Sequence, residues 1–472
     1  MSADTDQSAT VARRFLALGL GEVAARLLGF AAMVVAARAL GAPMFGIIGV
    51  ATAVTLYLNR IVDWGFELGL GVREVAARPA DSGRILPTLL LARLGLAVTA
   101  IGGTALVGLL LLPAPDGSTL LLSSLSLLGT GLGARWALLG LGEHRLAALA
   151  TLAAQVLTAV LLLLLVHGPG DVSGVPQAQL GGELLLSLVA LLVLRRRGVS
   201  LRVQFDRQVL RPLVARGGAL ATSAVLGLVI YNVSFLFLRA VKGPAAVGYL
   251  SAAVALVTFF LNVGTAYSMS LLPSLAALVA DRPRQVTLLQ TAALHVTALA
   301  LPIAVGGSLL ALPLVALLYG PGYLPAAIPL ALLLWSIPIC VLRDLPLMAL
   351  QSTGHESVVL RVTVWAALLH LILNVLMVPR WGLVGAATAG LITETVRLGL
   401  AFSAVRGEGF RLPGLGRFRP VLVASALMGL VVQLVPGGVP GRVLAGAVVY
   451  LVSLVALGAI RVQRGGRIRV AL

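Results

Sequence analysis

Arg26, Arg60, Arg93, Arg135, Arg343 and Arg397 lie within long apolar runs of this sequence, as do the acids Asp63, Glu183, Asp344 and Glu394. A guanidinium keeps its charge inside a protein and presents a planar fork of donors. Several of them around one hollow would grip a diphosphate through bidentate, charge-assisted hydrogen bonds. A charge at mid-membrane costs about 2.5–3.5 kcal/mol even on lenient insertion scales, so each of these residues needs a role or a neutralising neighbour. Arg26, Arg60, Arg93, Arg135 and Arg343 form the candidate substrate-binding set, and Asp63 and Glu394 are the candidate ion-coupling acids. A plainer reading stands beside that one. Arginines near a span's end snorkel to the headgroups. The spacings Arg60 to Asp63, Glu394 to Arg397 and Glu22 to Arg26 each place opposite charges on one helical face, where they would form struts. His295, and His370 with Asn374 one turn later, are further polar positions that would serve either a proton relay or a packed hydrogen-bond network.

Enzymatic chemistry finds little material. Lys242 is the single lysine, which nearly excludes a Schiff-base or catalytic amine, and the lone Cys340 sits in an apolar run without partners for a disulfide or a thiolate metal site. No phosphate-binding Gly-x4-Gly-Lys-Ser/Thr loop occurs, so no nucleotide cofactor is expected and none of another kind. Asp4-Thr5-Asp6 is the one Asp-x-Asp, far from any apolar run. A membrane glycosyltransferase or polymerase would need an acidic metal motif or a large loop, and the links here are short. The expectation is a protein that is not an enzyme.

The elements that must carry these residues are membrane helices. Hydrophobic residues make up 59% of the 472, charged residues 11%, and mean hydropathy is +1.04, far too little polar matter to cover a water-soluble chain of this size. Fourteen apolar runs, approximately 16–40, 46–68, 85–112, 119–141, 146–167, 175–194, 217–240, 246–273, 286–312, 326–350, 357–378, 382–404, 418–435 and 441–460, each suffice to cross a hydrocarbon layer about 30 Å thick. They are continuous rather than alternating, which excludes barrel strands. The first is too long for a cleaved signal sequence.

Orientation follows from arginine bias. Alternate links carry Arg13, Arg14, Arg73, Arg78, Arg84, Arg145, Arg282, Arg284, Arg406, Arg411, Arg417 and Arg419, with a basic tail after residue 460, whereas the opposite links carry only Lys242, Arg380, Arg442 and the nearby Arg239, and those at 113–118 and 168–177 hold no base at all. Both termini are therefore expected in the cytoplasm, with the protein in the inner (plasma) membrane. The net charge of +18 sits in these links, which argues against nucleic acid as a partner. The link 195–216 holds seven arginines and divides the chain. The expected organisation is a tail at 1–15, an N-terminal lobe of six helices at 16–194, that linker, a second six-helix lobe at 217–404, and two extra helices with a basic tail at 405–472. A faint echo supports two lobes: Arg38 to Pro43 reads RALGAP and Arg239 to Pro244 reads RAVKGP.

Several stretches resemble bacterial oligosaccharide (Wzx-type) flippases of the multidrug/oligosaccharidyl-lipid/polysaccharide exporter superfamily. They are Ala25-Arg26-Leu27-Leu28-Gly29-Phe30, Ala37 to Gly41 with Phe45-Gly46, Asp63-Trp64-Gly65, Arg73-Glu74-Val75-Ala76, Val247-Gly248-Tyr249, Leu318-Tyr319-Gly320, Gln351 to Gly354, and Gly382 to Ala387. The likeness covers roughly residues 12–405. It implies a polytopic all-α transporter, functional as a monomer among membrane lipids. Such a transporter carries a lipid-linked oligosaccharide on polyprenyl diphosphate from the cytoplasmic to the outer leaflet by alternating access, with H+ or Na+ as a possible coupling ion. A peptidoglycan-precursor flippase and a cation-coupled multidrug antiporter are the alternatives within the superfamily. The excess of intramembrane arginines over acids favours an anionic substrate.

Overall fold

The computed structural model describes the backbone of residues 2–279, 281–406, 413–462 and 468–470, and the side chains of most residues from Leu27 to Ala459. Arg13, Arg14, Glu22 and Arg26 have described backbone only, and Arg411 lies outside the described residues.

Among the described residues twelve helical segments are long and apolar enough to cross a membrane. Two of them are double. Ser2–Asp63 runs for 62 residues and Glu356–Arg406 for 51, which at 1.5 Å per residue greatly exceeds one crossing. Each is broken at a glycine that no residue with a Cβ tolerates well: Gly41 has φ 73° and ψ 164°, and Gly382 has φ 54° and ψ −123°. Counting each as two gives the fourteen spans expected, in a polytopic all-α membrane protein. One short antiparallel hairpin, Ile460–Val462 with Ile468–Val470, is added near the C-terminus. Outward leucines fit a lipid solvent, since Leu109, Leu110 and Leu111 are each more than 70% exposed.

The chain divides into two compact units, Met1–Leu228 and Val229–Leu472. In the first, His144–Leu165 packs along Gly174–Arg196. Ala32, Ala36 and Leu40 of the first helix close against Leu162, Val175 and Ala178. A second cluster gathers Phe66, Leu86, Leu89 and Leu138 around the fully buried Trp136. These small and branched side chains let helices approach closely where no hydrophobic drive between helices exists in lipid.

In the second unit the two last spans, Leu415–Leu434 and Val439–Ala456, join the core of Arg282–Leu309: Val421, Ala424, Met428 and Leu454 pack with Leu301. The Tyr450 hydroxyl donates to the Ala298 carbonyl at 2.6 Å. Near each half of the sequence echo one glycine takes a positive φ, Gly41 at 73° and Gly243 at 82°, although the two stand one position out of register with each other.

The arginine-rich link after Arg196 is tied back to the first unit. Asp206 accepts from the Arg84 guanidinium at 2.6 Å and from the backbone N–H groups of Gln208 and Val209 at 2.9 and 3.3 Å, capping helix Arg207–Lys242. The Arg84 bond, then the Gln208 N–H, hold the Asp206 carboxyl below its ordinary value of about 3.9. A lowered folded value means that the tether contributes fully above about pH 4 and is lost as pH falls through the lower folded value. Thermal unfolding of Asp206→Asn in detergent should begin at a lower temperature than wild type at pH 7, and the difference should shrink below pH 4; a constant difference across that range contradicts the assignment.

Candidate functional site

The sequence brings charge into the first unit at a helix break. Helix Ser2–Asp63 ends at Asp63, after which Trp64 (φ 51°) and Gly65 (φ 86°) enter the left-handed region and a π turn, Phe66–Leu70, follows. Trp64 is locked by its indole N–H, which donates to the Val214 carbonyl at 2.9 Å, and Gly217 packs against its ring where a Cβ would collide. The break frees the N–H of Glu67, which donates to Asp63 Oδ1 at 3.0 Å.

Arg93 meets that same carboxylate. Its Nη2 lies 3.3 Å from Asp63 Oδ1, and both side chains are 1% exposed as residues. Nη1 of Arg93 donates to the Gly133 carbonyl at 2.7 Å, an acceptor it shares with the Trp136 indole at 3.0 Å. The expected pairing of Asp63 with Arg60 is therefore not the one formed. Asp63 is the last residue before the break, and its carboxylate turns to helix Ser82–Leu110 rather than back along its own helix. Arg60 is left half-buried, its guanidinium without hydrogen bond or ion pair among the described residues. Arg135 lies 3.3 Å from Glu67 Oε2 and keeps 39% of its side chain exposed.

The second unit holds a larger network. Arg343 on helix Ser336–Ser352 pairs with Glu394 on Glu356–Arg406 and, through Nη2, with Asp344 at 2.6 Å. It also donates to the Tyr231 hydroxyl at 3.2 Å. Glu394 lies 3.6 Å from Arg397, whose Nη2 donates to Thr363 at 3.4 Å. The predicted Glu394–Arg397 contact is thus present, with Arg343 as a nearer partner from another helix.

His370 and Asn374 are buried beside it. The His370 ring nitrogens lie 3.2 Å from the Ser234 hydroxyl and 3.0 Å from that of Thr393, and the Asn374 amide donates to the His370 carbonyl at 2.8 Å. His295 lies 3.1 Å from the Tyr267 hydroxyl.

Two cavities accompany these networks. One of about 550 Å³ in the second unit is almost wholly apolar, lined by Leu256, Phe260, Pro302, Met428 and Tyr450 among others. The other, about 360 Å³, lies within the first unit and is polar, with Thr55, Asn59, Gln155, Thr158, Gln179 and Glu183 on its walls. Sequence reasoning named Glu183 as an intramembrane acid but missed the cavity. The signal was present: Thr52, Thr55 and Asn59, then Thr151, Gln155 and Thr158, then Gln179 and Glu183 recur at three- and four-residue steps, each set on one helical face.

The five candidate arginines thus separate. Arg93 and Arg343 are neutralised by buried carboxylates, Arg135 is paired with Glu67 at a partly exposed contact, Arg60 has no hydrogen bond or ion pair among the described residues, and the side chain of Arg26 lies outside the described residues. Removing one member of a buried pair leaves an uncompensated charge, at a cost of about 3–5 kcal/mol, whereas replacing both by apolar groups is often neutral. Arg93→Met and Asp63→Leu should each depress the unfolding midpoint and membrane yield sharply, and the double variant should recover most of both. Additive loss in the double variant would contradict the pairing.

No curated protein matches this sequence. The family model described as polysaccharide biosynthesis protein matches residues 11–279, more than half of the chain. Among solved structures, lipid II flippase MurJ in an inward closed conformation superposes with a TM-score of 0.77 over 94% of this chain and 98% of that one, at 14% identity. An inward-facing multidrug resistance MATE family transporter of the MOP superfamily gives 0.64 over 81% and 94%, at 18% identity. A MOP superfamily transporter from Pyrococcus furiosus gives 0.52 over 82% and 94%, at 17% identity. At such identities the likeness carries the fold alone, and the family rests on the matched model: the chain belongs to the polysaccharide biosynthesis proteins.

Proposed function

We propose that this protein flips an oligosaccharide carried on polyprenyl diphosphate from the cytoplasmic to the outer leaflet by alternating access, for export of a cell-surface polysaccharide. The observation that carries this reading is Arg60, a half-buried guanidinium in an apolar helix with no acidic partner among the described residues. Holding such a charge at membrane depth is costly, and a diphosphate is a natural counter-ion for it. Arg135, whose contact to Glu67 is partly solvated, is the second donor. Arg26 joins them through the family likeness of its position.

Asp63, Asp344 and Glu394 each lie within 4 Å of an arginine, which disfavours a cationic drug as cargo and makes Asp63 and Glu394 struts before they are coupling acids. Energy in this reading comes from an ion gradient or the membrane potential. The basic links set the loading side at the cytoplasmic leaflet.

The test is a leaflet assay in vesicles reconstituted with purified protein and a fluorescent polyprenyl diphosphate oligosaccharide, read by accessibility of the glycan to an external glycosidase. Wild type should equilibrate the lipid between leaflets. Arg60→Gln and Arg135→Gln should each slow flipping about tenfold or more, the scale of one hydrogen bond to a charged group, at unchanged membrane abundance. Full flipping in the double variant, or none in wild type, contradicts the proposal.

A further inference from the structure

The polar cavity of the first unit is left unused by a reading built on arginines. The polar groups on its walls come chiefly from three helical faces: hydroxyls of Thr52, Thr55, Thr151 and Thr158, amides of Asn59, Gln155 and Gln179, and one carboxylate, Glu183. Some of these groups have local partners. Thr151 and Thr158 donate to carbonyls four residues back at 2.9 Å, and the Asn59 amide donates to the Thr130 hydroxyl at 2.7 Å. Others have none: the Thr55 hydroxyl is buried and unbonded, and the half-buried Glu183 carboxylate has no hydrogen bond or ion pair among the described residues. Gly129 and Gly182 lie against Glu183 and Thr158 where a Cβ would collide, so the backbone closes tightly behind these polar groups. A wall of this kind is complementary to a ligand that brings its own hydroxyls.

Size and charge narrow the ligand. At ~30 Å³ per water the 360 Å³ cavity holds roughly a dozen waters, far more than the coordination shell of one cation and enough for a sugar ring. Amides and hydroxyls match sugar hydroxyls in both donor and acceptor roles, and a carboxylate accepts from two of them at once. Glu183 forms no ion pair among the described residues, and although the Arg135 guanidinium acts on it through space, its carboxylate disfavours an acidic sugar.

We infer that this cavity is a sugar subsite for the glycan of the transported lipid, with Glu183 selecting neutral or amino sugars over uronic acids. The inference rests on the flippase reading, to which it adds the sugar chemistry. It is tested by calorimetric binding to the full-length protein in nanodiscs, using short-chain polyprenyl diphosphates that carry no sugar, a glucosyl, a 2-amino-2-deoxyglucosyl or a glucuronyl group. Wild type should bind the glucosyl and aminoglucosyl lipids about tenfold or more tighter than the bare diphosphate, the scale of hydrogen bonds to a charged group, and should gain nothing from the glucuronyl group. Glu183→Gln, which keeps the side-chain volume, should erase the discrimination between glucosyl and glucuronyl lipids. Thr158→Leu, which fills the cavity, should remove the sugar's gain while leaving bare diphosphate binding as it is. Equal affinities for all four lipids in wild type, or discrimination untouched by both substitutions, overturns the subsite and leaves the flippase reading standing. Sodium-dependent heat abolished by Glu183→Gln, with no sugar discrimination, marks a cation site and likewise overturns it. Failure of every polyprenyl diphosphate to bind overturns the flippase reading, and the subsite falls with it.

Discussion

Asp63 and Arg93 sit at membrane depth with almost no exposure, and the shape of the first unit around them follows from their need for one another. A carboxylate alone there would be expelled or protonated, and an arginine alone would drag water or headgroups after it. Meeting across 3.3 Å, they allow the first double helix to stop abruptly, because Asp63 caps the π turn that follows while Arg93 holds the Gly133 carbonyl. The second unit solves the same problem with more members, Arg343 and Arg397 around Glu394. Each unit spends buried acids on buried arginines. Among the described residues of the first unit's spans, Arg60 and Glu183, one of each sign, form no hydrogen bond or ion pair.

That remainder shapes the functional account. A free guanidinium and a separate cavity of amides, hydroxyls and one acid suit the two chemistries of a glycolipid headgroup, an anionic diphosphate and an uncharged sugar. Neither feature alone distinguishes a flippase from a drug exporter of the same fold. Together they ask for a ligand that is anionic at one end and hydroxyl-rich at the other.

The sequence carried most of the architecture because bilayer thickness imposes a length on every apolar run, and arginine-rich links mark where runs end. The break at Gly41 falls in the link between two of the apolar runs read from the sequence. The pairing of charges was less legible. Spacing within a helix suggested Arg60 for Asp63, but the true partner is thirty positions away on another helix, and no periodicity reports such a contact. Glu394 was read with Arg397 correctly, yet its nearer partner, Arg343, is fifty-one positions distant. The polar cavity escaped for a different reason. Threonine and glutamine are mild enough in an apolar run to pass as packing residues, and only the facing of three helices turns them into a wall.

In the proposed function the unpaired Arg60 and the partly exposed Arg135 of the first unit, and not the paired charges of the second unit, receive the diphosphate. Photo-crosslinking with a polyprenyl diphosphate oligosaccharide bearing a diazirine beside the diphosphate, mapped by peptide mass spectrometry on the membrane-embedded protein, tests it most directly. The account predicts adducts concentrated in segments around Arg60 and Arg135; adducts centred on Arg343 to Arg397, or spread evenly over lipid-facing leucines, would contradict it.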